Sequence, residues 1–154
     1  MTFPVVLAAL TGNWRGTNRL WLSPEEPVRE SESIAEITLA ARGKFATIRY
    51  TWADEGQSQD GMLVLGQETQ NKLVTAVWID SWHMNDKFML CEGAVEPNGT
   101  IWVKGSYTAP PDPDWGWQIT IELEADDMFR FVMHNVSPDD KKMLAVEVTY
   151  TRQP

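Results

Sequence analysis

The feature that most constrains this chain is a period of two. In the run 117–124, Trp117, Ile119, Ile121 and Leu123 share one parity, while Gln118, Thr120, Glu122 and Glu124 share the other. In the next run Phe129, Phe131 and Met133 oppose Arg130, Val132 and His134. In the last, Leu144, Val146, Val148 and Tyr150 oppose Ala145, Glu147, Thr149 and Thr151. A helix would repeat its apolar residues every three or four positions; alternation puts successive side chains on opposite faces of a strand. The runs are rich in Val, Ile, Thr, Tyr, Phe and Trp and are separated by Gly, Pro, Asn and Asp. Ten can be placed: Asn13–Leu22, Ser33–Ala40, Lys44–Trp52, Gln59–Leu65, Lys72–Ile79, Lys87–Gly93, Thr100–Tyr107, Gly116–Glu124, Met128–Asn135 and Met143–Arg152.

Closely connected strands with one apolar face form an antiparallel sheet. An open sheet of that size exposes its edges, and closure removes them. The expected fold is therefore all-β, an antiparallel up-and-down barrel of about ten strands, with a two-layer sandwich as the alternative. The 154 residues suit one domain, and a chain of this length buries roughly 68–70% of its unfolded surface. Pro97-Asn98-Gly99-Thr100 predicts a tight hairpin with positive φ at both central residues, and Ala125-Asp126-Asp127 predicts another. Val5 to Leu10 reads as one short helix ended by Gly12.

Composition narrows the partners. A formal net charge of -9 argues against nucleic acid and against docking to anionic membranes, both of which need clustered Lys and Arg. The single cysteine, Cys91, forbids an internal disulfide and reads as a small buried filler. It suggests a reducing compartment. The apolar N-terminus lacks the basic region of a signal peptide, and no run has the length of a membrane span. A cytoplasmic location is expected.

The opening Gly12-Asn13-Trp14-Arg15-Gly16 and the closing Tyr150-Thr151-Arg152 resemble the calycin superfamily pattern. There, a Gly-x-Trp packs against an Arg of the final strand beneath the barrel. With Trp78-Ile79-Asp80-Ser81 between them, the chain more specifically resembles the bacterial DUF1579 family over residues 8 to 152 or so. The resemblance implies a barrel similar to lipocalins, fatty-acid-binding proteins and nitrobindins. It implies no activity.

Eight tryptophans make the interior unusual, because each indole N–H wants an acceptor when buried. The segment AVWIDSWHM, residues 76–84, sets Asp80, Ser81 and His83 among two of them. If Trp78 faces inward, alternation turns Asp80 and Trp82 inward too, and turns Ser81 and His83 outward. A buried carboxylate needs partners; Arg49, Arg152, indole N–H groups and the Tyr150 hydroxyl are the candidates. Asp80 is then either the anchor of a ligand pocket or the acceptor that satisfies buried indoles. The first functional reading is a non-enzymatic binding module. It holds a small hydrophobic or amphipathic molecule inside the barrel, with Trp14, Trp52, Trp78 and Trp117 as walls and Asp80, His83, Arg49 and Tyr150 as directional contacts. The second is an enzyme using Asp80 and His83 as an acid–base pair. A third is a filled barrel that acts as an interaction protein, with a homodimer through an apolar patch near Trp21 or Trp102. A Ser-His-Asp triad is disfavoured, since neighbouring strand positions do not converge and there is no Gly-x-Ser-x-Gly elbow. Two histidines, His83 and His134, make a metal site thin. Because haem needs one axial His, a nitrobindin-like cofactor stays open, though no nitrobindin ligand motif stands near the C-terminus. The loop 109–117, stiffened by three prolines, reads as a rim that brings Trp115 to the barrel end. The acid-rich SPEEPVRESES reads as a solvated loop.

Overall fold

The computed structural model describes residues 1–154 and shows one closed antiparallel barrel of ten strands. The strands are β1 (Gly12–Leu20), β2 (Arg29–Ala40), β3 (Phe45–Asp54), β4 (Gln57–Gln67), β5 (Val74–Asp80), β6 (Met89–Val95), β7 (Ile101–Tyr107), β8 (Trp115–Ala125), β9 (Met128–Val136) and β10 (Lys142–Arg152). Each strand pairs with its neighbours in sequence, and β1 pairs with β10 to close the ring. The expected barrel is therefore the fold, and the sandwich is not.

The helix α1 spans Phe3–Leu10, two residues earlier than expected. Proline stands in its first turn, where its missing N–H costs nothing. Phe3, Val6, Leu7 and Leu10 are buried, so α1 closes one end of the barrel. The Gly-x-Trp and Tyr-x-Arg elements meet at this end. Trp14 and Arg152 are cross-strand partners, with the guanidinium 4.3 Å from the indole centroid. The same guanidinium donates to the carbonyls of Thr11 at 2.7 Å, Ala9 at 2.5 Å and Asp126 at 3.0 Å. Arg152 thus ties the helix, the first strand and the β8–β9 hairpin together, and the Trp14 indole donates to Leu10 O at 2.8 Å.

Three expectations require correction. First, β2 begins at Arg29 rather than Ser33, so half of the acid-rich segment is strand. Glu30 and Glu32 face solvent and lie beside Arg19 and Arg15 of β1, while Ser33 turns inward. Second, strict alternation fails at the start of β10. The register shifts between Leu144 and Val146, a β-bulge that exposes Leu144 and buries Ala145. Third, in the 97–100 turn only Gly99 has positive φ (+92°), and the Asn98 side chain instead accepts the Thr100 N–H. In β8 to β10 the inward parity otherwise holds, with Ile119, Ile121, Phe129, Phe131, Met133, Val146, Val148 and Tyr150 filling the interior, while Val132, read onto the opposite face, is buried as well. Cys91 is buried among them, and burial raises its thiol to about 11.

Candidate functional site

The end of the barrel opposite α1 is where β3, β5 and β9 finish and β4, β6, β8 and β10 begin. Asp80 closes β5 there and is only 2% exposed. Four donors reach its carboxylate. Oδ1 accepts the backbone N–H groups of Trp82 at 2.9 Å and His83 at 2.8 Å. Oδ2 accepts the Tyr50 hydroxyl at 2.7 Å and Trp52 Nε1 at 3.3 Å. Trp78 Nε1 in turn donates to the Tyr50 oxygen at 2.9 Å. A buried carboxylate is tolerated when its lone pairs are met in this way, so no cation is needed.

The partners foreseen for Asp80 are only partly those it has. Arg49 lies on the outer face of β3 and is exposed; the inward parity there belongs to Ala46, Ile48, Tyr50 and Trp52. Arg152 is committed to the closed end. The Tyr150 hydroxyl pairs with Ser33 Oγ at 2.6 Å, not with Asp80. Tyr50 was missed, although FATIRYTW places it on the same parity as Trp52. Its room comes from Gly61, its cross-strand partner: a Cβ on Gly61 would stand 2.3 Å from the Tyr50 hydroxyl. Burial and the neighbouring Asp80 charge hold the Tyr50 phenol well above its usual pKa.

The chain turns sharply after Asp80, and this reverses the expected positions of two residues, Trp82 and His83. Because Asp80 Oδ1 holds the N–H groups two and three residues on, period two stops at residue 80. Ser81 stays outside, bonded to Gln59 at 2.7 Å. Trp82, expected inward, is 38% exposed. His83, expected outward, folds into the mouth. Its ring lies 5.4 Å from Trp52 at 27°, 4.8 Å from Trp82 at 84° and 5.1 Å from Trp117 at 48°. Trp78 and Trp117 stack beneath it at 5.4 Å and 9°. Burial among these rings lowers the His83 pKa, with the Asp80 charge opposing in part.

Asp80 and His83 meet through the histidine backbone, not as a carboxylate–imidazole pair, and both Asp80 oxygens are already occupied. Ser81 points away. Asp80 is thus the hub of a buried hydrogen-bond network. A haem has no room inside the barrel. The His83 ring is packed among indoles, the interior beneath it retains a void of about 10 Å³, and His134 Nδ1 is buried without a partner on the far side of the β9 backbone. The structure brings together no group of three or more His, Cys, Asp or Glu side chains able to hold a metal.

Tyr50, Trp52, Asp80, Phe131, Met133 and Tyr150 surround that small void, so the barrel below the Asp80 layer is closely packed. Two clefts lie above it. A cleft of about 720 Å³ runs past Trp78, Trp82, His83, Phe88, Tyr107 and Trp117. A second, of about 300 Å³, lies between Trp21, Trp82, His83, Trp115, Trp117 and Met143. The Tyr107 hydroxyl donates to Asn135 at 2.5 Å at this rim. Of the eight side chains anticipated as ligand contacts, Trp52, Trp78, Asp80, His83 and Trp117 converge on the mouth. Trp14 is at the opposite end, Tyr150 lies deep in the packed interior, and Arg49 is outside. Trp82, Tyr107 and Trp115 join the mouth without having been chosen as contacts.

Against known proteins, the family described as "Protein of unknown function (DUF1579)" matches residues 5–152. The chain belongs to the DUF1579 family. No curated protein sequence matches it. Among solved structures it is similar to the S-type phycobiliprotein lyase CPES from Guillardia theta, with TM-score 0.66 and 16% identity over 100% of this chain and 94% of that one. It is also similar to Rv2717c from M. tuberculosis, with TM-score 0.67 and 14% identity over 100% and 99% of the two chains. Similarity at that identity establishes a shared calycin-like barrel. No helix in this DUF1579 member is long and apolar enough to cross a membrane.

Proposed function

We propose that this protein is a binding module that takes a small, planar, largely apolar molecule at the open mouth of its barrel. The observation that carries the reading is the cleft of about 720 Å³ floored by the stacked Trp78–Trp117 pair and walled by Trp82, His83 and Tyr107. Its size lies in the range of small-molecule sites, and flat aromatic walls favour a flat guest, with Asn85, Asp86, Lys87, Ser106 and Thr108 adding polar groups around them. The full interior puts the guest above the Asp80 layer, with the Asp80–Tyr50–Trp78 network holding the floor in place. The barrel shared with a phycobiliprotein lyase is consistent with a small-molecule role.

Titration of naphthalene-type probes against tryptophan fluorescence tests the reading, with native mass spectrometry of freshly purified protein as a companion. Saturable quenching that weakens in Trp82→Ala supports it. Quenching that is unsaturable, or indifferent to Trp82, refutes it.

A second reading is favoured by one observation. Val77, Ile79, Phe88 and Leu90 are 38%, 46%, 64% and 69% exposed. Val77 and Leu90 are cross-strand partners on the outer face of β5 and β6. This apolar face, not the surroundings of Trp21 or Trp102, is the candidate surface for a homodimer. These four side chains are uncharged, so pairing them with a second copy sets no like charges among them face to face. Analytical ultracentrifugation at high concentration decides: a dimer lost in Leu90→Lys supports it, and a monomer throughout removes it.

A further inference from the structure

Two buried donors at the mouth have nothing to donate to. The indole nitrogens of Trp115 and Trp117 are shielded from solvent and lack any hydrogen-bond partner, and Trp117 as a whole is 8% exposed. Buried N–H groups are satisfied almost everywhere in folded proteins, and an unmet one is destabilising. The other mouth indoles, Trp52 and Trp78, follow the rule through Asp80 and Tyr50. The two exceptions are neighbours of like parity on β8, and both line the cleft of about 300 Å³.

From these orphan donors we infer the chemistry of the guest: an uncharged planar molecule that carries a carbonyl-type acceptor, seated so that its oxygen meets the Trp115 and Trp117 N–H groups. The inference rests on the binding reading above and names its ligand class. Charge decides between a carbonyl and a carboxylate. No Lys, Arg, Asp or Glu lines the smaller cleft. The one titratable group there, His83, is driven toward its neutral form by burial. In the larger cleft Asp86 and Lys87 offset each other at the rim. The carboxylate of Asp80 lies just below. A carboxylate guest would lose its hydration, face a like charge and find no cation. A neutral carbonyl loses less water and gains a donor that is already desolvated. Gly116 between the two indoles has the opposite parity and leaves room for Lys104 and Val136, which a Cβ there would meet at 2.7 and 3.3 Å.

Three probes of one shape test this by calorimetry on the full chain: 2-acetylnaphthalene, 2-isopropenylnaphthalene and 2-naphthoate. They differ in carrying a neutral acceptor, none, and an anionic one. The ketone is expected to bind tighter than the hydrocarbon by about three- to tenfold for each of the two N–H groups its oxygen meets. The naphthoate is expected to bind weakest. In Trp117→Phe the ketone-to-hydrocarbon ratio falls by about three- to tenfold. Trp115→Phe, at a less buried position, gives the same comparison if the first variant folds poorly. Equal affinity for ketone and hydrocarbon overturns the inference while leaving the binding reading intact. A preference for naphthoate overturns the neutral class. Failure of all three to bind overturns both readings.

Discussion

Replacing Tyr50 with phenylalanine removes a single oxygen, yet that oxygen joins two buried partners. It donates to Asp80 Oδ2 at 2.7 Å and accepts from Trp78 Nε1 at 2.9 Å. The bond to the carboxylate is charge-assisted, a class worth about 1.5–3 kcal/mol. The Trp78 N–H, 1% exposed as a residue, then stays buried with no acceptor, at a cost of about 1–3 kcal/mol. Asp80 keeps three of its four donors, which limits the damage. The sum is about 3 kcal/mol, a large part of the roughly 5–15 kcal/mol a domain has. At this chain length it corresponds to a fall in Tm of about 6–12 °C. Tyr150→Phe is the internal control. It removes an equally buried hydroxyl whose one neighbour is Ser33 at 2.6 Å, a neutral pair worth about 1 kcal/mol. Urea denaturation of both variants, with unchanged m-values, measures the difference. If Tyr50→Phe costs no more than Tyr150→Phe, the hub does not hold the mouth together and the reasoning from Asp80 outward fails.

Other consequences follow from the same contacts. Gly61→Ala should cost about 1–3 kcal/mol, because its Cβ would stand 2.3 Å from the Tyr50 hydroxyl and 2.8 Å from Ile79 O; a neutral result in thermal melts would show that Tyr50 has room to shift. Arg152→Lys should destabilise by about 2–4 kcal/mol and rescue little relative to Arg152→Met, since an ammonium cannot span the carbonyls of Ala9, Thr11 and Asp126; chemical denaturation tests this, and full rescue by lysine would contradict it. Both histidines are held below their ordinary pKa, His83 chiefly by burial and His134 by burial with Lys142 and Arg130 nearby. Their folded pKa values are depressed, so the unfolded chain takes up protons first as pH falls. Stability should therefore be full above about 6.5 and decline as pH drops through and below it; NMR titration showing both midpoints at or above 6.5 would refute the sign.

The sequence made the barrel legible because its evidence is repeated: the inward parity of β8, β9 and most of β10 is stated several times over, and ten connected strands must close or leave edges. The α1 end was legible through Gly12, Trp14 and Arg152, whose contacts are local to the first and last strands. Legibility ended where one residue changes the geometry. At Asp80 an acceptor captures two N–H groups and bends the chain, exchanging the places of Trp82 and His83; the Asp-Ser-Trp-His order is itself a turn signal that period-two reading overrides. At Leu144 a bulge shifts the face, and alternation carries no mark of it. Arg49 was drawn toward Asp80 by charge, although Ala46, Ile48 and Trp52 fix the opposite parity. Whether an interior is hollow depends on the summed volume of side chains from all strands, which no single run displays.

The most direct test maps where a guest sits. In a ¹H–¹⁵N spectrum each of the eight tryptophans contributes one indole N–H signal, so the two ends of the barrel report separately. Titration with 2-acetylnaphthalene should move the signals of Trp82, Trp115 and Trp117 at the mouth and leave those of Trp14 and Trp102 in place. Shifts concentrated at Trp14, or none at millimolar probe, would contradict a binding mouth at this end of the barrel.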